Sequence, residues 1–304
     1  MRYASIDIGT NAVLLLVMES NGEIRELYDA SRITRLGEGL LATGRLGPPA
    51  MERTVAALVH YRRLLDGYGV EAPDCYGTAE LREAANSDEF VEAAWRRAGF
   101  RVRVISEYEE AYYTYLSVKD DPHIHGKELL IVDIGGGSTE IARGTRHDFQ
   151  GYVSLPLGTV KLTERFIGHD PPLAQEVEAR AAFIRDRLST VREEGDRTIV
   201  GMAGTVTTLA TMVLGLDAFD KRRIHGMVVS LPVLREWRER LLSLTAAERK
   251  RLPGMEPGRE DLIPQGVVLM EEIVDAFGGS RFTVSTAGAR YGVLYEALKK
   301  RGAP

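Results

Sequence analysis

The sequence predicts a two-domain α/β protein, and three observations predict it. Asp-Ile-Gly occurs at residues 7–9 and again at 133–135, 126 residues apart. Each copy closes an apolar strand and opens a turn into a second strand, which is the mark of a duplicated unit. Strand-like and helical runs alternate through both halves. A polar stretch, from Asp120-Asp121-Pro122 to about Gly126, lies between the copies, and 304 residues suffice for two domains of ordinary size.

The elements follow in order. Residues 3–8 read as a strand, a turn at Gly9–Asn11 leads into a second strand over Val13–Met18, and Asn21-Gly22 is a hairpin signal that places a third strand from about Glu23. Residues 37–49 hold four glycines and two prolines and read as a loop. Met51, Val55, Leu58, Arg62 and Leu65 recur at helical spacing and stop near Gly67 and Gly69. Val70–Tyr76 and Arg101–Ile105 are strand-like, and between them Asn86-Ser87 marks the cap of a helix that ends at Gly99. Ser106 and Glu109 have capping-box spacing for a helix over Glu107–Val118.

The second half repeats the opening, with strands over Glu128–Ile134, from Thr139 and from about Gln150. Asp170-Pro171 then starts a helix with Leu173, Val177, Ala181, Ile184 and Leu188 on one stripe. Thr198–Met202 is a strand running into Ala203-Gly204-Thr205 and a helix. Helices follow at about 231–242 and 259–277, then a strand over Arg281–Ser285 and a C-terminal helix from Ala289. The boundaries expected are 1–122 for the first domain, completed by the helix of 288–304, and 123–287 for the second.

Composition narrows the function. A net charge of −5 gives no global basic surface for nucleic acid, so an anionic ligand needs a local pocket. The apolar run Ala12–Met18 is too short to span a bilayer and lacks a basic leader, so no membrane partner is expected. Cys75 is the only cysteine, which excludes an internal disulfide and fits a reducing cytoplasm. His123 and His125 form an H-x-H in the linker with no evident third ligand, so no metal is assigned there.

The chemistry gathers at Asp133-Ile-Gly-Gly-Gly-Ser-Thr-Glu140. Three glycines between two strands cost conformational entropy beyond what a hairpin needs. They expose the N–H groups of Gly135, Gly136 and Gly137 as an anion nest, beside the hydroxyls of Ser138 and Thr139. Asp133 and Glu140 flank the nest, a carboxylate pair suited to Mg²⁺ shared with phosphate, with Mn²⁺ as the alternative ion. In Asp7-Ile-Gly-Thr-Asn-Ala12, Thr10 and Asn11 offer polar side chains to a phosphate. At Gly201–Thr208 a strand meets a helix N-terminus, and Gly204 and Thr205 stand where an anion is favoured. Glu109 is occupied by its cap, which leaves Glu110 for work as a general base on water. Arg82 lies in Gly77-Thr-Ala-Glu-Leu-Arg-Glu-Ala84; alone it reads as a surface arginine.

Taken in order, Asp7–Ala12, Gly77–Asn86, Ile105–Val118, Asp133–Glu140, Gly201–Ala210 and His225-Gly226 resemble the exopolyphosphatase and guanosine pentaphosphate phosphohydrolase family. That family belongs to the actin, sugar kinase and heat-shock chaperone ATPase superfamily. The resemblance runs from Ile6 to about Tyr295. It implies two ribonuclease-H-like domains with an interdomain active-site cleft, and Mg²⁺-assisted release of terminal phosphate. It implies Glu110 as the base, Arg82 as a phosphate-binding arginine, and Asp7, Asp133 and Glu140 at the metal. It implies Thr10, Asn11, Gly135, Gly136, Gly137 and Ser138 in two phosphate loops, with Gly204 and Thr205 in a third.

The expected partner is inorganic polyphosphate, with guanosine pentaphosphate as the alternative, in a cytoplasmic chain with a homodimer among its expected states. A phosphotransferase and a non-catalytic sensor are the rival readings. ATP formed from polyphosphate and ADP would mark the first; the set of acidic residues argues against the second. Four departures stand out. Thr10 and Ala12 replace serines usual in the family, Tyr112 replaces an arginine, and Gly288-Ala-Arg-Tyr-Gly292 replaces Gly-Leu-Arg-Glu-Gly. Lys161, Arg165, Arg222 and Arg290 are the basic residues available to compensate.

Overall fold

The computed structural model describes residues 1–21, 23–191, 195 and 197–300. The chain divides into two compact units, Met1–Ser117 with the stretch from Ala289, and Val118–Gly288. Gly22 of the expected hairpin and residues 301–304 of the expected C-terminal helix lie outside the described residues.

The first unit is built on a five-stranded sheet. Its strands are β1 (Arg2–Ile8), β2 (Ala12–Ser20), β3 (Ile24–Ile33), β4 (Asp74–Gly77) and β5 (Arg103–Val104), in the order β3-β2-β1-β4-β5. The meander β1–β2–β3 is antiparallel, and β4 and β5 add in parallel. Alternation along β1 sends Ala4, Ile6 and Ile8 into a core with Leu58, Leu65 and Phe90 from helices Pro48–Tyr68 and Ser87–Ala98. The opposite face carries Ser5, whose hydroxyl donates to Arg290 O at 2.9 Å, so helix Ala289–Lys300 packs there.

The second unit repeats the plan. Its strands are β6 (Leu129–Ile134), β7 (Thr139–Gly144), β8 (Phe149–Leu155), β9 (Thr198–Met202), β10 (Val228–Ser230) and β11 (Arg281–Val284), ordered β10-β11-β9-β6-β7-β8. Again an antiparallel meander is extended by parallel strands, here β9 and β11. Leu129, Leu130, Ile131, Val132 and Ile134 are all buried, as a strand covered on both faces must be. The register makes the duplication concrete. Asp7 pairs with Leu14 on β2 and Tyr76 on β4, while Asp133 pairs with Glu140 on β7 and Met202 on β9.

Several local expectations are corrected. Val70 does not begin a strand. Gly69 adopts φ 68° and ends the long helix, and the Val70 N–H bonds Leu65 O at 3.0 Å, so Val70 belongs to the helix stop. Asn86 does not cap its helix with its side chain. Its amide instead brackets Leu46, accepting from Leu46 N at 2.8 Å and donating to Leu46 O at 3.1 Å. Asp170 is not a cap either: the helix starts at Ala174, where Leu173 N donates to Glu176 Oε2 at 2.8 Å, and Asp170 pairs with Arg249 at 2.6 Å. Helix Glu107–Leu116 ends two residues short of Val118. The sequence does not signal β10 or helices Ala79–Glu83 and Thr159–Phe166, which are too short for a clear period.

Candidate active-site residues

The two Asp-Ile-Gly turns are the same turn. Gly9 N–H donates to Ala12 O at 3.0 Å, and Gly135 N–H donates to Ser138 O at 3.0 Å. In the first turn the Thr10 carbonyl accepts from Gly37 N, and the Asn11 carbonyl accepts from Thr34 N and Arg35 N, at 2.9–3.0 Å. These bonds fix the backbone from behind. In the second, Thr159 N and Val160 N donate to the carbonyls of Gly135 and Gly136 at 3.0 and 2.9 Å. A β carbon on Gly158 would stand 2.1 Å from Gly136 O, so helix Thr159–Phe166 reaches this turn only because Gly158 has none.

The side chains of the first turn differ in what they leave available. Asn11 is 6% exposed, and neither its Oδ1 nor its Nδ2 has a partner among the described residues. Leaving a buried amide unsatisfied costs on the order of 1–3 kcal/mol, which makes Asn11 a candidate for holding a ligand. Thr10 donates its hydroxyl to Glu80 Oε2 at 3.0 Å. Asp7 accepts from the Tyr76 hydroxyl at 3.1 Å, across the β1–β4 register. Burial, and then Asp7, push the Tyr76 phenol well above its usual range.

Arg82 and Glu110 meet. Arg82 Nη1 donates to Glu110 Oε2 at 2.8 Å and to Ile105 O at 2.9 Å. Ser106 and Glu109 close a reciprocal capping box, with Glu109 N to Ser106 Oγ at 3.2 Å and Ser106 N to Glu109 Oε2 at 2.9 Å. Glu109 also pairs with Arg103. Burial raises the Glu109 carboxyl, but its bonds from Ser106 and Arg103 outweigh this and lower it on balance. Glu110 is thereby the acid of this pair that faces Arg82.

Asp133 and Glu140 sit directly opposite each other on β6 and β7. Like charges at one cross-strand pair are destabilising unless something positive joins them. Glu140 is 1% exposed and accepts from Ser154 Oγ at 3.0 Å. Thr139 departs from expectation: it is fully buried and its hydroxyl donates to Leu157 O at 2.6 Å, so it faces the core and not a ligand. Ser138 stays in the turn beside Gly136 and Gly137.

At the third glycine loop, helix Ala203–Val213 begins with Ala203 in the left-handed region at φ 69°. A β carbon on Gly204 would meet the guanidinium of Arg259, which pairs with Glu256. Thr205 is buried against Gly266. Of the basic residues expected to compensate for Tyr112, Arg290 is held by Asp29 through two bonds of 2.9 and 3.0 Å. Arg165 lies 4.4 Å over the Phe183 ring. Tyr112 itself stacks on Tyr108 at 6.0 Å, and Tyr291 donates to Glu26 at 2.6 Å and Asp29 at 2.9 Å.

Cys75 is buried, and burial pushes its thiol above its usual range. His123 finds partners that its neighbour His125 does not share. His123 Nδ1 lies 3.4 Å from Asp121 Oδ1, and His225 Nε2 lies 2.9 Å from Asp121 Oδ2. Thr286 N–H donates to His225 Nδ1 at 3.2 Å, so the ring proton sits on Nε2 and goes to Asp121. Asp121, His123 and His225 bring three possible ligand atoms within 4.8 Å of one another, a third group that the H-x-H spacing did not show. Within this group Asp121 and His225 form a hydrogen-bonded pair. Burial raises the Asp121 carboxyl, but these bonds more than reverse it.

Sequence reasoning missed Glu80, whose meeting with Thr10 spans 70 residues. The only signal was its place in the 77–84 segment beside Arg82.

The model of the Ppx/GppA phosphatase family matches residues 15–301. Exopolyphosphatase 2 of Mycobacterium tuberculosis is 36% identical over 286 residues, covering 90% of this chain and 89% of that protein. A bifunctional 3-dehydroquinate synthase/phosphatase of Fusobacterium nucleatum is 29% identical over 98% of this chain, which spans 47% of that longer protein. Among solved structures, the Ppx/GppA family member of Aquifex aeolicus superposes with a TM-score of 0.84 at 35% identity, covering 100% of this chain and 99% of that one. An exopolyphosphatase of Cytophaga hutchinsonii superposes with a TM-score of 0.90 at 26% identity, over 99% and 98% of the two chains. With two sheets of shared strand order, matching turns and a family match across nearly its whole length, the chain belongs to the Ppx/GppA phosphatase family.

Proposed function

We propose that this phosphatase is an exopolyphosphatase, which removes the terminal phosphate of inorganic polyphosphate with a divalent cation, Mg²⁺, bound. The observation that carries the reading is the Asn11 amide, buried without a partner among the described residues, in a turn that matches the glycine turn of the second unit. The name of the Mycobacterium tuberculosis relative favours polyphosphate over guanosine pentaphosphate, which shares the same terminal anhydride.

In this reading a water attacks the terminal phosphorus in line, and the phosphoric anhydride bond to the rest of the chain breaks. Glu110 takes the water's proton, with Arg82 fixing the carboxylate that receives it. Gly135 N–H is spent inside its own turn on Ser138 O, contrary to the expected nest, so the N–H groups of Gly136, Gly137 and Ser138 and the Asn11 amide hold phosphate oxygens. Gly204 and Thr205 serve a further phosphate at the helix N-terminus. Asp133 and Glu140 suit a hard cation because they put two carboxylates at one cross-strand position, and Asp7 is the third acid assigned to it. Such an ion supplies charge neutralisation on the phosphate oxygens.

The test is Glu110→Gln. Phosphate release from polyphosphate is expected to fall by about 10²-fold or more, with polyphosphate binding retained. Near-normal turnover would sink the assignment. Competing polyphosphate against guanosine pentaphosphate at equal concentration decides the substrate.

A further inference from the structure

Glu80 is a buried carboxylate that the mechanism above does not use. It lies 1% exposed on the short helix Ala79–Glu83, directly behind the first turn. Its partners are the Thr10 hydroxyl on Oε2 at 3.0 Å, the Thr78 hydroxyl on Oε2 at 3.2 Å, and the Thr78 N–H on Oε1 at 3.4 Å. We infer that Glu80 is a positioning residue of the first phosphate turn, which takes the Thr10 proton, turns the Thr10 oxygen's lone pairs toward the ligand side, and leaves donation from that turn's side chains to Asn11.

The argument is one of counting protons. A threonine hydroxyl has a single proton and two lone pairs. Thr10 spends its proton on Glu80. The oxygens of an internal phosphate in a polyphosphate chain are acceptors only, so Thr10 cannot grip one without breaking its bond to Glu80. Asn11 Nδ2 carries two protons and has no partner among the described residues. Two adjacent side chains that look equivalent in sequence thus have opposite polarity toward the ligand. Glu80 also sets a negative charge behind a turn that receives a polyanion, which moderates the grip on substrate and product.

The inference rests on the phosphate-turn reading, and the experiment separates the two. Binding of tripolyphosphate is measured by calorimetry with Mg²⁺ present, in the Glu110→Gln protein so that nothing is hydrolysed, with Asn11→Ala, Thr10→Val and Glu80→Gln added singly. Asn11→Ala is expected to weaken binding about tenfold, the worth of a hydrogen bond to a charged group. Thr10→Val is expected to stay within about twofold of the parent. Glu80→Gln is expected to bind about threefold tighter or more. Its Oε1 still accepts from Thr78 N–H, which aims the amide NH₂ at Thr10 and releases the Thr10 proton to phosphate. A purely structural role for Glu80 would give weaker binding instead. Thr10→Val weakening as much as Asn11→Ala overturns the inference, and so does a folded Glu80→Gln that binds no tighter. If Glu80→Gln does not fold, the Thr10→Val arm decides alone. Asn11→Ala binding like its parent overturns the phosphate-turn reading and the inference with it.

Discussion

Arg82 holds Glu110 by a bond of 2.8 Å, and the same Nη1 is fixed by Ile105 O at 2.9 Å. Ile105 immediately precedes the Ser106 cap of the helix that carries Glu110. One guanidinium nitrogen therefore ties the carboxylate to the backbone at the start of its own helix. Arg82 is 18% exposed and Glu110 12% at the side chain, enough screening from water for the geometry to matter. Arg82→Met is expected to lower kcat by about 10- to 100-fold, part of what a general base contributes. KM should move less than kcat. A large rise in KM at unchanged kcat, read from steady-state phosphate release, would instead place Arg82 on substrate alone.

Gly158 is a position where a methyl group has nowhere to go. Its β carbon would lie 2.1 Å from Gly136 O and 2.4 Å from Gly137 C, which are backbone atoms of the triple-glycine turn. Gly158→Ala is expected to destabilise the protein by about 1–3 kcal/mol through overpacking. Activity should fall further than stability explains, because the displaced atoms are those proposed to cradle phosphate. Thermal melts and phosphate-release assays at a temperature where the variant is folded separate the two effects.

Gly67 gives the contrasting case. It sits in the last turns of helix Pro48–Tyr68, and a β carbon there would meet nothing within 4 Å. Gly67→Ala is expected to stabilise by about 0.5–1 kcal/mol from helix propensity alone, without change in activity. A scanning melt should show a rise of about 1–3 °C for a chain of this size.

Acid should weaken the second unit through Glu176. Its carboxyl accepts from His169 and from the backbone N–H groups of Leu173 and Gly168, and these bonds hold it at about 2, against an ordinary 4.5. A lowered carboxyl stabilises the fold fully above the ordinary value, and the contribution is lost as pH falls toward the folded one. The melting temperature of Glu176→Gln should therefore lie below that of the parent at neutral pH. The gap should close between about pH 4.5 and pH 2. A gap that persists unchanged at the acid end contradicts this.

The sequence shows most plainly whatever is decided within a few residues. The Ser106–Glu109 capping box and the Gly69 and Gly99 stops could be read directly, because each bond spans five residues or fewer. The two Asp-Ile-Gly turns were legible because the duplication repeats their surroundings. What was hidden depends on distant chain. Thr10 and Asn11 look alike as polar turn residues until Glu80 arrives from 70 residues away and takes one of them. Thr139 looks like a loop hydroxyl, yet as the first residue of β7 it points inward to Leu157. Arg82 reads as a surface arginine until Glu110, 28 residues on, is placed beside it. Asn86 and Asp170 have the right chemistry for caps but are used by Leu46 and by Ala246 and Arg249.

The two sheets repeat each other's backbone without repeating each other's charge. Asp133 faces Glu140 across β6 and β7, whereas Asp7 at the matching place faces Leu14. A half-buried leucine cannot bind a cation, so the two halves have diverged in valence while keeping one shape. Grafting the residues of the second turn onto the first would carry across the backbone turn and leave the facing carboxylate of Glu140 behind. In the proposed function the matching positions have separable duties: Asp133 and Glu140 balance charge, while Asn11, Arg82 and Glu110 hold phosphate and move a proton.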